Sequence, residues 1–112
     1  MLRRDYLSRL IEDMGRIAAR VRELLVRGST ANVETELQAG ARLAGLELAA
    51  IRALSVDSLL VLLRPNANAD PARAEVVALV LELEAERLVA VGENEEAQRI
   101  AAKAGRIRAA LS

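Results

Sequence analysis

Cysteine and histidine are both absent from the 112 residues of this chain. Their absence excludes cysteine nucleophiles, disulfide bonds, haem ligation by histidine and the usual zinc sites. Histidine is also the commonest general base, so acid–base catalysis would depend on surface carboxylates alone. We therefore expect a protein that is not an enzyme and that carries no metal or cofactor.

Aromatic side chains are almost missing, because they make up 1% of the chain while hydrophobic residues make up 53%. The single aromatic residue is Tyr6, which we expect to anchor the core beside Leu7 and Leu10. The rest of the core must be aliphatic, built from Leu, Ile, Val and much Ala. Leu and Ala are strong helix formers, so this composition favours helices.

An excess of charge of either sign is also absent, since 16 basic residues balance 16 acidic ones. The chain therefore has no overall field that would attract a polyanion, and nucleic-acid binding is not favoured. The apolar runs are shorter than the ~20 residues that a membrane-spanning helix needs. The first ten residues have no apolar signal core, so we expect a cytoplasmic protein.

Helical periodicity accounts for the first half of the chain. Residues 5–27 repeat apolar side chains at the i, i+3, i+4, i+7 spacing, and Gly28 ends this helix. Ser29 and Thr30 offer an N-cap for a second helix over residues 31–44. Its buried face consists of small or branched residues, which allow close approach to the first helix: Val33, Leu37, Gly40, Ala41 and Ala44.

Residues 46–63 read as two short helices, the second capped by Ser55 and ending before Arg64 and Pro65. A loop over residues 64–70 follows, rich in Asn and Pro. No alternating run of β-branched or aromatic residues indicates a strand.

The longest apolar helix is predicted over residues 71–92. Asp70 and Pro71 form a helix start, and Gly92 ends the helix. A helix that is apolar around most of its circumference is covered on more than one side, by other helices or by a second copy of the chain. We therefore predict a self-association face at Val76, Val77, Val80, Leu81 and Leu88.

Glu75, Glu82 and Glu86 lie seven and four residues apart, so they form one polar stripe on this helix. A metal cluster that also used Glu84 would resemble helical-bundle carboxylate sites, but those sites need histidine as well. The favoured interpretation is a solvated stripe. The stripe is also a candidate face for a partner helix that carries arginine.

A last helix over residues 94–111 is predicted to bury Ala97, Ile100, Ala101, Ala104, Ile107 and Leu111. The turn and helix after Gly92 weakly repeat those after Gly28, with Val33 matching Ala97 and Gly40 matching Ala104. Two αα-hairpins with small residues at the helix crossing explain this pattern. The predicted fold is therefore all-α: a single domain over residues 1–112, with a hairpin at 5–44, short helices at 46–63 and a hairpin at 71–111.

Residues 88–104, LVAVGENEEAQRIAAKA, resemble the turn and second helix of a tetratricopeptide unit. Gly92 stands at the turn, Ala97 and Ala104 at the small positions, and Leu88 at a bulky packing position. The usual aromatic positions hold Ala101 and Asn94, and the two hairpins are not in the usual tandem spacing of ~34 residues. The resemblance implies a helical hairpin that binds peptides or proteins, not an array.

Residues 5–13, DYLSRLIED, resemble the opening of a family of small bacterial helical proteins with no established activity. The likeness extends loosely over the whole chain in helix order and length. It implies an all-helical fold and carries over no site residues.

Besides a peptide-binding adaptor that would use the concave side of the tetratricopeptide-like hairpin, two functions remain open from the sequence. The first is a non-enzymatic module for protein–protein interaction that self-associates, with a homodimer expected. The alternative is a DNA-binding helix-turn-helix over residues 41–54, where Ala41, Gly45 and Ile51 have the spacing of that motif. Its second helix offers only Arg52 for phosphate or base contacts, whereas DNA-reading helices present several polar side chains.

Overall fold

The computed structural model describes residues 2–64 and 70–110, and these ranges hold six helices and no strand. The predicted loop over residues 64–70 lies mostly outside them, as does Leu111. Nowhere in the two ranges is a helix both long and apolar enough to cross a membrane. The helices are α1 (Leu2–Val26), α2 (Thr30–Leu43), α3 (Leu48–Ala53), α4 (Val56–Leu62), α5 (Pro71–Ala90) and α6 (Asn94–Ala109). The all-α prediction is therefore confirmed.

A capping hydrogen bond is formed at two of the three predicted helix starts. The Asp70 carboxylate accepts a hydrogen bond from the Arg73 N–H at 3.2 Å, and Pro71 is the first residue of α5. The Ser55 hydroxyl accepts from the Ser58 N–H at 3.1 Å at the start of α4. Ser29 stands at the N-cap position of α2, but its side chain makes no capping hydrogen bond.

Glycine ends α1 and α5 as predicted. Gly28 and Gly92 have φ values of 76° and 84°, in the left-handed region that other residues rarely adopt. The N–H of the next residue then bonds back to a carbonyl of the last turn: Ser29 to Leu24 at 2.9 Å, and Glu93 to Leu88 at 2.8 Å. These are Schellman caps, so both turns follow from local sequence.

The centre of the fold is α5, which packs against α6, α2 and α1. Nine of its residues are buried, and they point in several directions around its circumference. The prediction that this helix is covered on more than one side is therefore confirmed. The shorter α3 packs on α2, and α4 packs on α6.

The crossing of α1, α2 and α5 depends on Gly40. A Cβ atom at this position would lie 3.0 Å from Val80 Cγ2 and 3.3 Å from Met14 Cε. The small residues predicted on α2 thus allow close approach to α5 as well as to α1. Val33, Leu37, Ala41 and Ala44 are fully buried on the same face.

Three predicted core positions are wrong. Tyr6 is 48% exposed, and Ile11, one of the apolar residues in the repeat over residues 5–27, is 64% exposed. Because α1 has 25 residues and α2 only 14, the first turns of α1 extend past its neighbour. Ala101 is also exposed, since it lines an open groove between α5 and α6.

Candidate functional site

The predicted self-association face lies inside the molecule. Val76, Val77, Val80 and Leu81 are each at most 2% exposed, because the other helices of the same chain cover them. Leu88 is half-buried and packs against the same core. The four buried residues offer no surface to a second copy, so the predicted position of the face is corrected for them: their cover is intramolecular, whereas Leu88 stays partly exposed.

The glutamate stripe is paired with arginines of the chain itself. Arg108 on α6 donates to Glu75, with Nη2 2.7 Å from Oε1, and also forms an ion pair with Glu82. Arg22 on α1 makes a two-pronged contact with Glu86, with nitrogen–oxygen distances of 3.1 and 3.0 Å. The stripe therefore joins α5 to α1 and α6, which the helical spacing alone did not reveal.

Glu84 is separate from the stripe and is buried, with 6% exposure. It contacts two guanidinium groups: Arg87 Nε at 3.0 Å and Arg52 Nε at 3.1 Å. Arg52 also binds Glu34, with distances of 2.7 and 2.8 Å. We call Glu34, Arg52, Glu84 and Arg87 the buried charge network; it ties α2, α3 and α5 together.

Ionisation in the buried charge network follows from these contacts. Burial is the largest influence on Glu84 and opposes its ionisation, but hydrogen bonds from Arg87 and Arg52 outweigh burial and lower its pKa. The hydrogen bond from Arg52 likewise lowers the pKa of Glu34. Both carboxylates are therefore charged at neutral pH. Within the described ranges no three acidic, histidine or cysteine side chains are grouped closely enough to hold a metal ion.

The helix-turn-helix candidate has its turn where predicted, since Gly45 has a φ of 74° between α2 and α3. Arg73 from α5 donates to the Ala44 carbonyl at 2.8 Å and so holds the turn against the core. However, Arg52 is engaged by two carboxylates, and α3 has only six residues. The helix that would read DNA therefore presents no unpaired cation.

A groove of about 450 Å³ runs between α5 and α6. Alanines form much of it, and Val89, which is 57% exposed, stands at one side. Glu82 and Glu86 also line it; Glu86 pairs with Arg22, and Glu82 shares Arg108 with Glu75. We call this the α5–α6 groove; its residues are Glu82, Ala85, Glu86, Val89, Asn94, Ala97, Gln98 and Ala101.

A second depression of about 710 Å³ lies where α3 and α4 meet α6. Arg99, Lys103 and Arg106 of α6 line one wall of it. At about 100° per residue these three occupy the side of α6 roughly opposite Ala97 and Ala101. We call this depression the cationic cleft.

Chemically, the described residues offer an apolar groove with ion-paired glutamates and a cationic cleft on opposite sides of one helix. Ser55 and Ser58, beside the cleft, hydrogen-bond to each other at 3.1 Å with no base to activate them. The sequence could have indicated the cleft through its single lysine, Lys103, among fifteen arginines. No family model, no curated protein and no solved structure matches this chain, so the geometry of these two surfaces is what characterises it.

Proposed function

We propose that this protein is a non-enzymatic interaction module that binds a second copy of itself through the α5–α6 groove. The observation that carries the proposal is an open groove with small residues on its floor, whose two glutamates both form ion pairs with arginines of the same chain. Small residues on the floor allow a partner helix to approach closely. An open apolar groove with a polar rim is typical of an interaction site.

The pairing of the groove's glutamates within the chain favours a second copy over a charged partner. Across a two-fold axis the same patch faces itself, so an unpaired charge would meet its own like charge. Glu82 and Glu86 would create this repulsion, but each is held by an arginine of its own chain. Because Arg108 also pairs with Glu75, this pairing reduces the repulsion between two copies but does not remove it.

The polar rim supports the same arrangement. Asn94 and Gln98 are exposed and carry primary amides. An amide both donates and accepts hydrogen bonds, so two identical rims complement each other across a two-fold axis. A charged rim could not do this.

The expected dimer is weak. The 16 residues of α6 span ~24 Å, and two helices side by side present a face ~20 Å wide. Two such faces bury on the order of 1,000 Å², which is at the lower limit for a specific interface. We therefore expect a dissociation constant in the micromolar range.

We also propose that α5–α6 is a tetratricopeptide-like hairpin and that α1–α2 is its counterpart. Both pairs turn at a glycine with a Schellman cap, at Gly28 and Gly92. Both bury a small residue on the second helix, Gly40 and Ala104. A superposition of residues 20–43 on residues 84–107 in an experimental structure tests this: the proposal requires matching helix crossing angles.

The experiment for self-association is light scattering with size exclusion over a range of protein concentrations. The wild-type mass is expected to rise from that of one 12.1 kDa chain toward twice that value. Ala101→Glu places like charges face to face in the groove and is expected to give a monomer. Ala102→Glu is the matched control, because Ala102 is equally exposed on the same helix but does not line the groove.

A single-chain mass for the wild type at every concentration would refute the proposal. So would equal dimerisation of Ala101→Glu and the wild type, since the interface would then lie elsewhere. Thermal unfolding of both variants, followed by circular dichroism, separates a lost interface from a lost fold.

The competing function, a DNA-binding regulator using residues 41–54, would require Arg52 to leave Glu34 and Glu84. We expect no binding to random duplex DNA at low salt. Binding that weakens steeply as salt is added would favour this regulator instead.

A further inference from the structure

The cationic cleft has no part in the proposed dimer. Four basic residues line it: Arg52, which is held by Glu34 and Glu84, and Arg99, Lys103 and Arg106, which are spaced four and three apart and so form one stripe on α6. The opposite walls come from α4 and from the turn between α3 and α4. They include apolar side chains, and Asp57 is the one carboxylate in the lining. The apolar lining residues are Ala53, Leu54, Val56, Leu60, Ala109 and Ala110.

Lys103 is the unusual member of this stripe. It is 5% exposed, and its Nζ donates to the carbonyls of Ile51 at 2.8 Å and Arg52 at 3.5 Å. In the described ranges no carboxylate lies within ion-pair distance of it. Glu84, the other buried charged residue, has two guanidinium partners. The two carbonyls belong to the last turn of α3, whose dipole offsets the ammonium charge without cancelling it, so a positive charge remains beside the cleft and favours an anion.

The basic neighbours of Lys103 add to this positive charge. Burial is the main cause that lowers the pKa of Lys103, and the charges of Arg99 and Arg106 lower it further. Arg99 is held by Glu96, but the exposed Arg106 guanidinium has no acidic partner in the part of the chain that the structure describes. Two cations without carboxylate partners thus stand on one wall, against the single carboxylate of Asp57.

We propose that the cationic cleft binds a small phosphate monoester that carries an apolar substituent. Arg106 offers the planar, two-pronged donor geometry that suits phosphate, and Lys103 supplies a point charge beside it. The substituent would lie against Leu54, Val56 and Ala110. A volume of about 710 Å³ is within the usual size of small-molecule sites.

Nucleic acid is a poorer occupant of the same cleft. A strand would have to pass Asp57 and Glu96, whose carboxylates repel its phosphates. Basic and acidic residues are also balanced over the whole chain, so no wider basic surface would follow the strand. A single phosphate group needs only the short stripe that is present.

The test is a titration of the full chain, labelled with ¹⁵N, with phenyl phosphate, inorganic phosphate and phenol as separate probes. Phenyl phosphate is expected to cause saturable shifts in the amides of residues 53–57 and 99–110. Its affinity should exceed that of inorganic phosphate and of phenol, because only it contacts both the cations and the apolar wall.

Two variants remove the cations separately. Arg106→Gln changes an exposed side chain, and Lys103→Met replaces a buried ammonium with an apolar group of similar length. Because a hydrogen bond to a charged group contributes roughly 1.5–3 kcal/mol, each should weaken phenyl phosphate binding by about tenfold or more. Arg9→Gln, at an exposed arginine on α1, is the matched control and should bind as the wild type does.

Three results would overturn the proposal. One is the absence of saturable shifts at millimolar phenyl phosphate, and another is a set of shifts that maps outside the cleft. The third is unchanged affinity in Arg106→Gln. Lys103→Met also removes the hydrogen bonds to the Ile51 and Arg52 carbonyls, so thermal unfolding is needed to check its fold, whereas Arg106→Gln changes an exposed side chain and decides the outcome on its own.

Discussion

Replacement of Gly40 by alanine tests the packing of α1, α2 and α5 with a single methyl group. The new Cβ would lie 3.0 Å from Val80 Cγ2, and Val80 is fully buried. It would also lie 3.3 Å from Met14 Cε, the flexible end of a side chain that is 2% exposed. Methionine can move a few tenths of an ångström, whereas the branched valine in a filled core cannot easily do so.

Two opposing effects determine the size of the change. Alanine in a helix interior is more favourable than glycine by about 1 kcal/mol. An extra methyl group in a filled core costs about 1–3 kcal/mol. We therefore expect Gly40→Ala to reduce the free energy of unfolding by roughly 0–2 kcal/mol.

Two matched controls carry the same substitution at other helical glycines. Gly15 and Gly105 are exposed, and a Cβ at either would meet no atom within 4 Å. Each alanine should therefore stabilise the protein by about 0.5–1 kcal/mol. Gly40→Ala should thus be less stable than either control by about 1–3 kcal/mol.

Urea unfolding followed by circular dichroism measures all four proteins, and the slope of the transition should not change. A thermal scan should show a difference between Gly40→Ala and the controls of about 4 °C or more for each kcal/mol. If Gly40→Ala were as stabilising as Gly15→Ala and Gly105→Ala, the close three-helix crossing would be refuted.

Three further predictions concern charge. Glu84→Gln should lower the free energy of unfolding, measured in urea, by about 2 kcal/mol. This is less than the 3–5 kcal/mol typical of a broken buried ion pair, because Arg52 keeps its contact with Glu34 and is partly exposed. No change in stability would show that the contact is not formed in solution. The pKa values of Glu34 and Glu84 lie below their ordinary value of 4.5, so the stability that their ionised forms contribute is complete above that pH and is lost as the pH falls below it. Between pH 6 and pH 3, urea unfolding should therefore show a steeper loss of stability for the wild type than for Glu84→Gln. Equal slopes for the two proteins would contradict this. Arg22→Gln should change the free energy of unfolding by less than about 0.5 kcal/mol in the same assay, because the ion pair between Arg22 and Glu86 is exposed. A loss as large as that of Glu84→Gln would contradict the position of this ion pair at the surface.

Local features of this protein could be predicted from sequence alone. The Asp70 cap, Pro71 at the helix start and the glycine ends at Gly28 and Gly92 each depend on residues within one turn of each other. The buried stripes of α1, α2 and α6 follow mostly from apolar spacing on a single helix. All of this information is short-range, which is why the all-α fold and the helix bounds were predicted to within a few residues.

The tertiary structure decided which helix covers which face. The apolar pattern of α5 indicated that Val77 and Val80 need cover, but not whether the same chain supplies it. The pairings of Arg22 with Glu86 and of Arg52 with Glu84 join residues 64 and 32 positions apart, and Lys103 reaches the Ile51 carbonyl across 52 positions. Helical periodicity fixes the direction of a side chain around its own axis and contains no information about the neighbouring helix. The α5–α6 groove and the cationic cleft therefore exist only where three-dimensional packing brings distant segments together.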